Sequence, residues 1–181
     1  FRALAPQPGV FGVGVLSRLP LTGVEAFKRP SGIQATIEWE GMVIVALVAH
    51  PLPATITTAT ALRIPTGFNP GERDARLATL RARIDALLGA ERDVLVLADF
   101  NTATTEPAYA DLLAGLRDAH VEVGQGPGWS WRPSRFEGLP IGLLRIDLIL
   151  ASPRLEPVAS RVRCPPIGDH CIVSADLVGL R

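Results

Sequence analysis

At 181 residues, with 18 basic and 18 acidic side chains, the chain carries no formal net charge; 48% of its residues are hydrophobic and 20% are charged. That length suffices for one domain with a sizeable core, and that composition excludes an intrinsically disordered chain. The longest apolar run, Met42 to Ala49, is far short of the roughly 20 residues a transmembrane helix needs, and zero net charge argues against a broad basic face for gripping a polynucleotide.

Residues 10 to 18 and 33 to 39 read as strands, with Pro20 and Pro30 punctuating the stretch between them. A third strand, Met42 to Ala49, follows the turn at Glu40-Gly41. Pro51 to Gly71 is rich in Thr, Pro and Gly, the composition of a long loop, and ordered loops of this kind often shape substrate choice. Glu72 to Leu88 has the clearest helical period. Leu77, Leu80, Ile84, Leu87 and Leu88 share one stripe, while Arg73, Arg76, Arg81 and Arg83 fall largely off it. Gly89 is the expected stop. Val94 to Ala98 is short, continuously apolar and rich in Val and Leu, as a buried strand is. A shorter helix is expected from Pro107 to Leu116, with proline early in its first turn. Strands at 145 to 151, 158 to 163 and 171 to 178 complete a mixed α/β pattern.

Cys164 and Cys171 flank Pro165-Pro166-Ile167-Gly168-Asp169-His170. A cytosolic protein would hold them as buried thiols, and an exported one could join them across a short loop.

Three apolar runs end in polar groups: Ala98-Asp99-Phe100-Asn101, Arg145-Ile146-Asp147 and Gly168-Asp169-His170. Carboxylates at strand tips can converge on one edge of a sheet. Three acids, a carboxamide and an imidazole gathered there suit a hard divalent cation, a phosphate ester and a water to be deprotonated. Asp99 and Asn101 lie two apart and share a side while the chain stays extended. His170 is the residue type best matched to acid–base work near neutral pH. His50 also ends an apolar strand. His120 has no such company and reads as structural or exposed, Arg145 as an ion-pair partner, and at least one of Trp129 and Trp131 as packing.

The stretch Gly12-Val13-Gly14-Val15-Leu16-Ser17-Arg18-Leu19-Pro20, the strand ending in Ala49-His50-Pro51, the Ser130-Trp131 pair and the three strand tips, taken in order, resemble the endonuclease/exonuclease/phosphatase superfamily, whose members include DNase I. The resemblance implies a DNase I-like α+β fold: a four-layer sandwich with two packed β-sheets flanked by helices and the site at one end. It implies a divalent-metal-dependent phosphoesterase acting by in-line attack of activated water on a nucleic acid, a phospholipid or a small phosphate ester. Asp99, Asn101, Asp147, His170 and His50 are then the catalytic candidates. Asp169, Asp99 and Asn101 are the candidate ligands for Mg²⁺ or Mn²⁺, and Asp147 is the partner that orients His170.

Members of the superfamily also open with a strand carrying Asn and, later, a strand ending in Gln-Glu whose glutamate is the main metal ligand, and neither motif precedes Gly12. The expectation is that residues 1–181 form one such domain, as its larger C-terminal part. A catalytically impaired relative acting as a binding or scaffold module is the rival. Anchoring or export through a segment upstream of Phe1 is one reading of location and a cytoplasmic protein the other.

Overall fold

The computed structural model describes residues 1–59 and 64–180. Two short strands open it, β1 (Arg2–Ala5) and β2 (Val13–Leu16), paired as an antiparallel hairpin. Next comes an antiparallel meander of β3 (Thr22–Lys28), β4 (Ser31–Trp39) and β5 (Met42–His50). A separate hairpin, β6 (Thr55–Ala59) and β7 (Ile64–Asn69), leads into helix α1 (Gly71–Gly89). That helix returns the chain so that β8 (Asp93–Asp99) lies parallel to β5, as a crossover of this length permits. Helix α2 (Pro107–Leu113), β9 (Arg117–Asp118) and helix α3 (Ala119–Val123) follow. An irregular stretch then reaches β10 (Asp147–Ala151), and β11 (Leu155–Arg163) and β12 (Ile172–Gly179) close the fold as a hairpin.

The central sheet has the order β3-β4-β5-β8-β10-β9. Its middle strands are nearly all apolar because both faces are at least partly covered. On one face Leu77, Leu80 and Ile84 of α1 and Leu112 of α2 pack on Leu47, Val94, Val96, Leu148 and Leu150. On the other, Ala3 and Ala5 of β1 meet Ile33 and Ala35 of β4, and Leu155 of β11 meets Ile44 and Ala151. The second β layer is thus built from two hairpins, β1–β2 and β11–β12. Between them runs a groove of about 330 Å³ lined by Val13, Val173 and the central strands, which opens at His50, Asp99 and Asp147.

Some expectations need correction. The region read as one long loop contains β6 and β7; its segment 60–63 lies outside the described residues. Every residue of β6 is exposed, so no burial-driven alternation marked it as a strand. Strand β3 was missed for the same reason, with Phe27 alone half-buried. Arg73 is not off the apolar stripe of α1: it is 2% exposed, one turn before Leu77. Among the described residues no helix is long and apolar enough to cross a membrane.

Candidate active site

Strand register assembles the centre. Ala49 of β5 pairs with Ala98 of β8, so the next residues, His50 and Asp99, end neighbouring strands side by side. Asp147 of β10 is the direct partner of Asp99. Paired residues project to the same face of a sheet, and three polar side chains therefore form a row at one end. His50 Nε2 lies 3.4 Å from Asp99 Oδ2.

Asn101 stands beyond the end of β8 with φ of 50°, a left-handed turn that Asn tolerates better than most residues. Its nearness to Asp99 thus comes from a turn rather than from strand alternation. The Asn101 backbone N–H donates to Asp99 Oδ1 (3.0 Å), and its amide donates to the Pro51 carbonyl (3.0 Å) and more weakly to Asp99 Oδ2 (3.4 Å). Buried Arg73 fixes this turn from behind. Its guanidinium donates to the Asn101 carbonyl (3.0 Å) and to Glu106 (2.7 Å), and its Nε donates to Asp74 (2.9 Å). The spacing 73, 77, 80, 84 was the available signal, since it puts an arginine on the buried stripe.

His170 arrives from the β11–β12 connection. The ring Nδ1 is 2.9 Å from Asp147 Oδ2 and Nε2 is 3.7 Å from Asp99 Oδ2. A bridge to Trp131 aligns its backbone. Ser130, fully buried, accepts the backbone N–H groups of Ile146 and Asp147 on its hydroxyl and so fixes the start of β10. Arg132, also fully buried, donates to the carbonyls of Leu139, Pro165 and Gly168 and ties down the loop before His170. A disulfide between Cys164 and Cys171 closes that loop. Ser130 was marked in the sequence only as half of the Ser130-Trp131 pair, with no role attached, and Arg132 carried no signal, because an arginine that serves only backbone groups has no partner motif to betray it.

Asp169 is exposed and lies outside the tight cluster; it is close enough to raise both Asp99 and His170 electrostatically. His120 is buried against Ser160 and the Gly126 carbonyl, a structural role. Arg145 pairs with buried Asp118, as an ion-pair residue should. Trp129 is half-exposed, and Trp131 pairs through its backbone with Leu144 and His170.

The charges here are set by their surroundings. Burial first, and Asp147 second, push the Asp99 carboxyl up to about 6. The hydrogen bond to Asp147 holds the His170 imidazole above its ordinary value against the opposing effect of burial. Burial, reinforced by the charge of His170, lowers His50. Two groups with their proton affinities raised and one with it lowered, in one cleft, are a mark of acid–base sites.

Asp99, Asp147 and His170 each offer a ligand atom within 4.8 Å of the others. A carboxylate held near 6 by desolvation and a like-charged neighbour gains from a cation, and an oxygen-rich, half-open set fits a hard ion that keeps several waters.

The sequence signature described as "Endonuclease/Exonuclease/phosphatase family" matches residues 2–170. The chain belongs to that family. Solved structures agree in fold. A variant of the 3′ phosphatase NExo from Neisseria, bound to product DNA hairpin, aligns with a TM-score of 0.73 at 20% identity over 98% of this chain and 79% of that one. The family member from Bacteroides vulgatus aligns at 0.61, with 18% identity, over 82% of this chain and 55% of that one. The human Nocturnin catalytic domain with bound sulfate aligns at 0.60, with 19% identity, over 97% and 72%. This family chain thus spans only about half of the Bacteroides protein. No curated protein matches it by sequence. The DNase I-like fold expected from the motifs is the fold found.

Proposed function

We propose that this family member is a phosphoesterase that uses Mg²⁺ or Mn²⁺ to hydrolyse a phosphate ester bond. The observation that carries the reading is the row His50, Asp99, Asp147 across three adjacent strands, with His170 hydrogen-bonded to its last member. Residues 1–181 are read as the larger part of one such domain.

In its ionised form Asp99 accepts a proton from the attacking water. The water oxygen bonds to phosphorus, the ester P–O bond opposite it breaks, and the departing oxygen takes up a proton from solvent water at the open mouth of the site. His170, kept protonated by Asp147, donates to a phosphoryl oxygen as charge builds there. Asn101 turns its weaker amide contact from Asp99 to the phosphate, while its bond to Pro51 keeps it in place. Neutral His50 supports Asp99 and lends a further donor. Asp99 and Asp147, with Asn101 and Asp169 beside them, would hold a divalent ion, which would supply charge neutralisation and an acidified water, while protonated His170 has no lone pair to offer it.

The test is hydrolysis of a soluble phosphodiester and a soluble phosphomonoester with Mg²⁺, with Mn²⁺ and in chelator. Turnover that depends on the cation supports the assignment. Undiminished turnover in chelator removes the metal from it, and phosphate binding without turnover favours the scaffold reading.

A further inference from the structure

Separate connections that surround the site each turn a bare apolar side chain outward. Val10 in the β1–β2 turn is 76% exposed, and the adjacent Phe11 ring lies 6.0 Å from that of His50. Ile56 and Phe68 are direct cross-strand partners in β6–β7, both more than half exposed. The Arg73 guanidinium, which holds Asn101, lies 5.7 Å from the Phe68 ring. Ile141 lies in the loop between Trp131 and Leu144, whose ends pair with each other while Trp131 also pairs with His170. Ile167, 73% exposed, precedes His170 inside the disulfide loop.

Single exposed apolar residues are ordinary. Here they come from sequence-distant connections, each tied by one contact to His50, to the Arg73 that holds Asn101, or to His170. Strands β6 and β7 pair with each other and with no other described strand, and a lone two-stranded hairpin is marginal in water. Its Ile56–Phe68 pair gains by being covered. Charge is also scarce on this rim. In sequence the β1–β2 connection 6–12 has no charged residue, the β6–β7 stretch 51–69 has only Arg63, the disulfide loop 164–171 has only Asp169 besides His170, and 137–144 has only Glu137, which accepts the Gly168 N–H. Cations stand close by instead. Lys28 and Arg76, the latter paired with Glu72 at 2.6 Å, line a pocket of about 370 Å³ with Phe11 and His50, and Arg135 stacks on Phe136 at 4.9 Å. A polynucleotide track needs its cations on the contact surface itself, whereas uncharged apolar tips flanked by cations match a surface that enters the headgroup region of a bilayer.

We propose that the mouth of the site docks on a lipid bilayer and that the phosphate ester it receives belongs to a membrane lipid. The substrate half of this proposal rests on the phosphoesterase reading, and the docking half does not. The experiment is co-sedimentation with phosphatidylcholine vesicles, with and without phosphatidylglycerol, for the parent chain and for the triple variant Ile56→Ser, Ile141→Ser, Ile167→Ser. A thermal melt establishes that the variant is folded. The parent should sediment with both vesicle types, more strongly with the anionic one, and the triple variant should bind at least about tenfold more weakly. Its turnover of a soluble phosphate ester should stay within about twofold of the parent while hydrolysis of vesicle lipid falls with binding. A parent chain left in the supernatant, a variant that binds as well as the parent, or tighter binding to single-stranded DNA than to vesicles each overturns docking. Vesicle binding with soluble-ester turnover but no lipid hydrolysis overturns the lipid substrate. Vesicle binding with no ester hydrolysed at all leaves docking standing and defeats the phosphoesterase reading alone.

Discussion

Asp99 is held where its charge is disfavoured, and that conflict makes it the most testable residue of the chain. Its proton is bound more tightly in the folded state than in the unfolded one, as burial and Asp147 raise it to about 6. Stability from this group therefore falls as pH rises from the ordinary carboxylate value through about 6, and the ionised form is a burden above that. In chelator at pH 8, Asp99→Asn should raise stability by on the order of 1 to 3 kcal/mol, a gain that disappears near pH 4. The same change should cut turnover at least about a hundredfold. Denaturant melts and rates on one preparation check both, and a variant that loses activity without gaining stability at pH 8 would contradict the environment assigned to Asp99. His170 is raised as well, by Asp147, so its contribution is complete below its ordinary value and lost as pH rises through the folded one. Activity should accordingly climb toward pH 6 with Asp99 and decline above the ordinary histidine range with His170. Replacing Asp147 with Asn should move that upper limb to lower pH, which a pH–rate profile reads directly. Each of these groups was legible in the sequence as a polar residue beside an apolar run, although only Asp99 ends its strand; Asp147 opens β10 and His170 lies in the β11–β12 connection. The roles of Ser130 and Arg132 were not legible, because they bond backbone N–H groups and carbonyls, which leave no mark in the sequence.

At the scale of elements, α1 does more than cover the sheet. Through Arg73 it grips the Asn101 turn, and Arg73 reaches Asp74, Glu106 and the Asn101 carbonyl at once. A lysine cannot span these with its single ammonium. Arg73→Lys should keep the helix but lower kcat by about tenfold or more with little change in KM, while Arg73→Ala should also cost about 2 to 4 kcal/mol by leaving Glu106 and a carbonyl unpaired. Equal kcat in the lysine variant would show that the turn holds itself. The disulfide loop invites a parallel test. Closing a loop of this length is worth roughly 2 to 3 kcal/mol on the chain-entropy model, so the Cys164→Ser, Cys171→Ser variant should melt earlier and lose activity through a looser His170. Two titratable thiols in the native protein would contradict the bridge. Strands β4, β5, β8 and β10 and helix α1 were readable because burial imposes a pattern. Strands β3 and β6 lie in the open, where nothing enforces alternation, and they read as loop.

At the scale of the whole molecule, the central sheet brings His50, Asp99 and Asp147 into one row, and the two hairpins of the second layer leave a groove that opens onto that row. No single segment contains the site. The tips were visible separately, and only their order along the chain suggested convergence; the register that aligns them depends on pairings between residues dozens of positions apart. The central claim is that this convergence is a cation-assisted phosphoester-hydrolysing centre. Its most direct test is the rate of phosphate-ester hydrolysis as Mg²⁺ is titrated into chelator-stripped protein, for the parent chain and for His170→Ala side by side. The account predicts saturable activation of the parent, with the His170→Ala plateau at least about a hundredfold lower. A parent rate indifferent to Mg²⁺, or a variant that matches the parent at saturation, would contradict it.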